Sequence, residues 1–145
     1  MAELLELERL CNVLPGQIEQ AANELAKGVV KAIDSDLVEH TPVDVTTAVS
    51  NWQPSVNGPA NFELPAIYPG EGGSTAPESR REAIAHVDRA LADKEPGVPF
   101  YLSNVTPYIG DLNNGTSKQE PAGFVERAIR IGEKFAATAQ LRIQK

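Results

Sequence analysis

Residues 17–44, QIEQAANELAKGVVKAIDSDLVEHTPVD, decide how the chain folds. Ile18, Ala22, Leu25, Val29, Ile33 and Leu37 recur in steps of three and four, which puts them on one side of an α-helix. The spacing predicts an amphipathic helix from Gln17 to about Glu39, roughly six turns long. Gly28 lies inside it. A glycine there costs roughly 1 kcal/mol relative to alanine, so a closely packed neighbour is expected to explain it. Pro42 disfavours helical geometry at the residue before it, so the helix should stop near His40-Thr41. Upstream, Ala2 to Leu14 is Leu-rich, and Pro15-Gly16 predicts a break between that piece and the helix.

Downstream, Thr41 to Val56 is rich in Val and Thr, residue types that suit a pleated surface, and predicts a strand in its later part around Trp52. Gln53 to Pro77 contains Pro54, Pro59, Pro65, Pro69 and Pro77 together with Gly58, Gly70, Gly72 and Gly73. Such a stretch exceeds an ordinary connection and reads as an extended loop or arm, with a role-free insertion as the alternative. Glu78 to Asp93 predicts a second helix with Ala83, Ile84, Val87 and Leu91 on one face. Glu95-Pro96-Gly97 turns the chain into a short strand, Phe100 to Ser103, which a turn at Asn104–Pro107 closes. Asn113-Asn114-Gly115 signals another turn. Pro121 suits the first position of a last helix, since its missing N–H would be unpaired there anyway. Phe124, Ala128, Ile131 and Phe135 predict the buried stripe of that helix, which should run nearly to Lys145. The expected class is α+β: one domain over residues 1–145, a small antiparallel sheet packed against long N-terminal and C-terminal helices, and a long Pro/Gly-rich loop at 53–77.

The charge is −7 and uneven: residues 1–39 carry eight acids and three bases, residues 121–145 two acids and five bases. An acidic chain repels phosphates, which argues against a general or sequence-specific nucleic-acid binder. The opposite signs of the two ends could draw one copy to the next, or could mark two solvated helix faces. No apolar run approaches a membrane span. The start lacks the basic residues and cleavage site of a secretory signal, so a chain kept in the cytoplasm is expected. Cys11 is the sole cysteine, has no Cys or His neighbours for zinc, and is expected as a buried core thiol.

Chemistry-bearing patterns are sparse. His40 and His86 fall in no recognisable motif, and a structural role is expected for His86. Gly115-Thr116-Ser117-Lys118 weakly resembles a phosphate-cradling loop but lacks the glycine directly before the lysine. Asp34 and Asp36 are two apart on a helix and point to different faces. No catalytic residue, cofactor or metal site is predicted.

Two stretches carry a more specific signal: Thr41-Pro42-Val43-Asp44 with Ser50-Asn51-Trp52, and Tyr101-Leu102-Ser103-Asn104 with Pro107-Tyr108, Gly115-Thr116-Ser117-Lys118-Gln119 and Pro121-Ala122-Gly123. Their order and spacing resemble the tail-completion, or minor tail protein Z-like, family of tailed phages. There a helix leads into a TPVD segment and a Trp-containing strand, and a YxxN strand leads through PY to a GxSKQxPAG helix start. The likeness covers most of the chain from residue 18 onward. The family often follows TPVD with Thr-Gly and a basic residue, where this chain has Val45, Thr46 and Thr47. It also often has an acidic and an aromatic residue before the glycine, where Asn113 and Asn114 stand here. The resemblance implies a non-enzymatic virion protein of the neck or tail, made in the host cytoplasm. It would complete the tail or join it to the head as a ring, commonly six-fold, with itself and neighbouring neck or tail proteins as partners.

The motif residues read as fold-defining or interface positions: Pro42, Asp44, Trp52, Asn104, Pro107, Tyr108, Gly115, Ser117, Lys118, Gln119, Pro121 and Gly123. Asp44 can cap the following turn, Trp52 is an anchor for core or interface, and Gly115 supplies a positive φ. Ser117 to Gln119 can satisfy free N–H groups at the start of the last helix. The alternatives are a tail-assembly chaperone absent from the mature particle and a small cytosolic enzyme using His40 or His86 with a carboxylate.

Overall fold

The computed structural model describes residues 2–139. In chain order it consists of α1 (Ala2–His40), α2 (Thr47–Ser50), β1 (Gln53–Ser55), α3 (Ala76–Ala92), β2 (Tyr101–Ser103), α4 (Ile109–Asn113) and α5 (Phe124–Thr138). The fold is mixed, dominated by helices, with one two-stranded antiparallel sheet.

The first helix is longer than expected. Its 39 residues pass straight through Pro15 and Gly16, giving a rod about 58 Å long. The predicted break is therefore absent. Pro15 cannot donate to the carbonyl of Cys11, but both residues are exposed, so water can serve that oxygen instead. The predicted end near His40 is observed. Thr41 donates from its N–H (2.9 Å) and its hydroxyl (2.6 Å) to Leu37 O. Arg80 reaches Val38 O (3.2 Å) and Thr41 O (3.4 Å), bringing positive charge to the carbonyl end of the helix.

α5 lies antiparallel along the inner half of α1, as the pairs Asp36–Arg127, Ile33–Gly132 and Gly28–Phe135 show. Both glycines are sites of close approach. A Cβ at Gly28 would sit 2.7 Å from Phe135 Cε1, and one at Gly132 would overlap Ile33. The neighbour expected at Gly28 is thus the Phe135 ring. The predicted stripe of α5 needs correction: Phe124, Ala128 and Gly132 are its buried residues, whereas Ile131 (37%) and Phe135 (41%) stay exposed. Phe135 covers Gly28 from the rim of the interface. The helix begins at Phe124, so Pro121 is not its first residue; Gly123, at φ 89°, resets the chain direction first. The expected run toward Lys145 beyond residue 139 lies outside the described residues.

α3 starts earlier than predicted and takes Pro77 into its first turn, where no N–H is needed. Ala83, Val87 and Leu91 are buried along it, and it packs on α1. Just past its end, Lys94 Nζ donates to Asn23 Oδ1 (2.6 Å) and Asn23 Nδ2 to Lys94 O (3.0 Å), tying the turn to the middle of α1.

The sheet is minimal: Gln53, Pro54 and Ser55 face Ser103, Leu102 and Tyr101. Its main helical neighbour is α3. Pro54 is tolerated because each strand has a free edge. The strand expected in the later part of Thr41–Val56 is β1, which starts just after Trp52, while the earlier Thr47–Ser50 forms α2. Residues 56–75 carry neither helix nor strand. The core gathers Leu37, Val38, Val43, Val49, Trp52, Ala83, Phe124 and Ala128 where α1, α2, α3 and α5 meet.

Gly132→Val should lower the unfolding free energy by about 2 kcal/mol, because the core cannot yield around Ile33 without strain. Gly16→Ala has open space around it and should raise helicity in far-ultraviolet circular dichroism, gaining about 0.5–1 kcal/mol locally. Urea unfolding of both variants checks the pair.

Candidate functional site

The residues singled out in the sequence converge at the carboxyl end of α1. Pro42 is buried there. The peptide of Val43 is clamped by one side chain: Gln119 Oε1 accepts from Val43 N (2.9 Å) and Gln119 Nε2 donates to Val43 O (3.0 Å). That two-bond contact joins positions 76 apart in sequence. Trp52 is a core anchor, 5% exposed, with its indole N–H donating to Thr41 Oγ1 at 2.8 Å. Asn104 Nδ2 donates to Ala48 O (2.8 Å), and its Oδ1 accepts from Thr106 N (3.1 Å).

Three roles differ from expectation. Asp44 does not cap α2; its Oδ1 accepts from Gly72 N (3.0 Å) and its carbonyl from Gly73 N (2.8 Å). The left-handed backbone of Thr46 (φ 67°) turns the chain between Asp44 and α2, which leaves Asp44 facing the loop. The free N–H groups of α5 are served by Asn113 rather than by Ser117 to Gln119. Asn113 O accepts from Gly123 N (2.7 Å), and its Oδ1 accepts from Val125 N (2.9 Å). Asn113 also donates to Glu126 and holds that exposed carboxyl below its usual range. Cys11 is exposed on α1 rather than buried in the core.

Polar residues that the sequence reading left without a role hold the long loop down. Asn51, fully buried, accepts from Leu64 N (2.7 Å) and donates to Leu64 O (2.9 Å). Ser50 Oγ accepts from Ile67 N (3.1 Å), Gln53 Nε2 donates to Phe62 O (2.8 Å), and Thr46 Oγ1 donates to Tyr68 O (2.9 Å). Ser50 and Asn51 belong to the quoted Ser50-Asn51-Trp52 triplet and Thr46 to the departure after TPVD, whereas Gln53 carried no signal. The motif set thus divides in two. Pro42, Trp52, Asn104, Gly115 (φ 86°), Gly123 and Gln119 build a frame. Pro107, Tyr108, Lys118 and Pro121 remain on the surface, and Ser117 is half-buried.

Little of this resembles a reaction centre. His40 Nδ1 faces its own helix, 2.9 Å from Asp36 O and 3.2 Å from Asp36 Oδ1. His86 is half-buried on α3, and burial lowers its affinity for a proton. Among the described residues, no three His, Cys, Asp or Glu side chains are grouped to hold a metal ion. A shallow concavity is lined by Leu4, Leu5, Leu7, Glu8 and Cys11, all on a single helix. No described helix is long and apolar enough to cross a membrane.

One titratable group stands apart. Asp34 is 1% exposed, and its Oδ1 has no hydrogen-bond partner among the described residues. Burial, reinforced by Asp88 on α3, raises its pKa from 3.8 to about 7. Its folded form keeps the proton that the unfolded chain releases near pH 4, so its destabilisation grows between those values and is complete above pH 7.

Compared with protein-family models, characterised proteins and solved structures, the chain matches none.

Asp34→Asn should therefore stabilise the protein at pH 8 by about 2–4 kcal/mol, with the gain vanishing below about pH 4. Urea unfolding of variant and parent across that range reads the difference. At Thr46, alanine and glycine both remove the hydroxyl bond, but only glycine relieves the left-handed backbone. Thr46→Gly should be more stable than Thr46→Ala by about 1 kcal/mol, and equal values would count against strain at this position.

Proposed function

We propose that this chain is a non-enzymatic structural subunit of a tailed-phage particle, working in the neck or at the tail end through surface fit with copies of itself and adjoining proteins. The observation that carries the reading is the Gln119–Val43 clamp. It joins the two sequence stretches on which the resemblance rests, the TPVD segment and the GxSKQxPAG segment, through two hydrogen bonds between the Gln119 side-chain amide and the Val43 backbone. A side chain spent on both polar groups of a distant peptide serves architecture rather than turnover.

A second feature agrees with it. The family's usual Thr-Gly after TPVD would set glycine at position 46, and Thr46 here adopts the left-handed backbone that glycine favours. The exposed motif residues Pro107, Tyr108, Lys118 and Pro121 are then available to partners. In this reading the stretch 56–75, the part of the expected 53–77 loop that lies between β1 and α3, contacts a neighbouring neck or tail protein through exposed side chains such as Phe62 (60%) and Tyr68 (46%). Its pinned backbone suits a fixed ledge better than a swinging arm.

A tail-assembly chaperone is the second reading, favoured by one observation: the run of exposed leucines on α1 is what a transient grip on another protein would use. Mass spectrometry of purified particles separates the two. The structural reading expects the chain in finished virions at fixed stoichiometry, about six copies for a closed ring. Particles that require the gene for assembly yet lack the chain would transfer the case to the chaperone.

A further inference from the structure

An Asn-Gly peptide can attack its own side chain, because the glycine has no Cβ to block the approach of its nitrogen to the asparagine amide. The chain contains two such pairs, Asn57-Gly58 and Asn114-Gly115, and both asparagines are exposed. The fold treats them differently.

Asn114 closes α4. Its N–H donates to Gly110 O (2.9 Å) and Asp111 O (3.1 Å), and the Gly115 N–H donates to Leu112 O (3.1 Å). Thr116 Oγ1 adds a bond to Asp111 O (2.9 Å). A Cβ at Gly115 would stand only 3.1 Å from Ala122 N, so this turn is also packed against the chain that leads to α5. The nitrogen that has to attack is engaged here, and freeing it requires the end of α4 to open.

Asn57 lies in a bend just past β1. The bend is tied on either side: Ser55 Oγ donates to Gly58 O, and Ala60 N donates to Ser103 Oγ (3.3 Å). The peptide between Asn57 and Gly58 has no such tie. Among the described residues, neither the Asn57 side chain nor the Gly58 N–H has a hydrogen-bond partner. Gly58 sits at φ 145° with open space where a Cβ would stand. No neighbour has to move before its nitrogen can turn toward the Asn57 amide.

We propose that Asn57 is a site of spontaneous deamidation in the folded protein, while the fold protects Asn114. Water is the only co-reactant. The Gly58 nitrogen loses its proton to solvent base and bonds to Asn57 Cγ. The Cγ–Nδ2 bond breaks, and the departing nitrogen takes a proton back from solvent and leaves as ammonia. Water then opens the five-membered imide. Addition at Cγ breaks its new bond to the Gly58 nitrogen and yields aspartate. Addition at the main-chain carbonyl breaks the original peptide bond and yields isoaspartate, with the chain rerouted through the side chain. Either product sets a new carboxylate in the 56–75 stretch, and isoaspartate also alters its backbone. The chemistry is independent of the virion reading, although that reading sets the same stretch against a neighbouring protein.

The full chain is aged in mildly alkaline buffer, folded and in urea, and its peptides are sequenced by mass spectrometry with fragmentation that separates isoaspartate from aspartate. In the folded chain, conversion at Asn57 should exceed that at Asn114 by at least about tenfold, and in urea the two rates should converge to within about threefold. Asn57→Gln should remove the product from its peptide and leave the Asn114 rate unchanged. Equal rates at the two sites in the folded chain would overturn the proposal. So would folding that slows Asn57 as much as Asn114, or a product that persists in the Asn57→Gln peptide.

Discussion

Two missing side chains set the geometry of this protein. Gly28 on α1 and Gly132 on α5 let the helices approach so closely that Phe135 and Ile33 occupy the space a Cβ would need. Glycine in a helix interior costs roughly 1 kcal/mol against alanine, so two of them are tolerated only where close packing offsets the cost. The contact fixes α5 on the inner half of α1. That in turn places Phe124 and Ala128 in the core and brings residues 113–123 beside the end of α1. The outer half of α1 extends beyond the reach of α5. The buried interface and the exposed leucines are thus two consequences of the same helix pairing.

Around the end of α1 the structure uses hydrogen bonds where a larger sheet would otherwise do the work. Three-residue strands supply little cohesion by themselves. Asn51, Ser50, Gln53, Thr46 and Gln119 instead bond to backbone groups of segments lacking helix or strand. Buried polar groups are costly without partners, and here each tie satisfies a loop peptide that could not otherwise leave water. A surface whose loops are held in this way presents a fixed shape, which suits assembly against other proteins. Among the described residues the exceptions are Asp34 Oδ1, Thr106 Oγ1 and Arg127 Nη2, and of these Asp34 is a carboxyl in the interior. No role for it emerges beyond the stability it costs near neutral pH.

The legible parts of the fold were those governed by local periodicity. The inner half of α1, its stop before Pro42 and the body of α3 follow from apolar spacing and proline sterics. The signals at Pro15-Gly16 and Pro121 misled for different physical reasons. An exposed proline leaves its orphan carbonyl to water, so the helix can continue. Gly123, two residues past Pro121, supplies the left-handed turn that actually starts α5. The Val- and Thr-rich stretch does end in the expected strand, β1, but the left-handed Thr46 turns its middle into the short helix α2, which residue preference for strands cannot foresee. α4, five residues long, has too few turns to show a period. The site was legible as a set of names but not of roles. Gln119 acts on a peptide 76 positions away, and Asn113, read only as a turn residue, caps α5 through two acceptor oxygens.

Residue-resolved hydrogen exchange on the full-length protein tests most directly whether the close pairing at Gly28 and Gly132 holds the fold together. The account predicts slow exchange for amides 28–38, on the half of α1 that α5 covers, and faster exchange for amides 7–18, where almost every side chain is exposed. Exchange at 28–38 as fast as at 7–18 would contradict it.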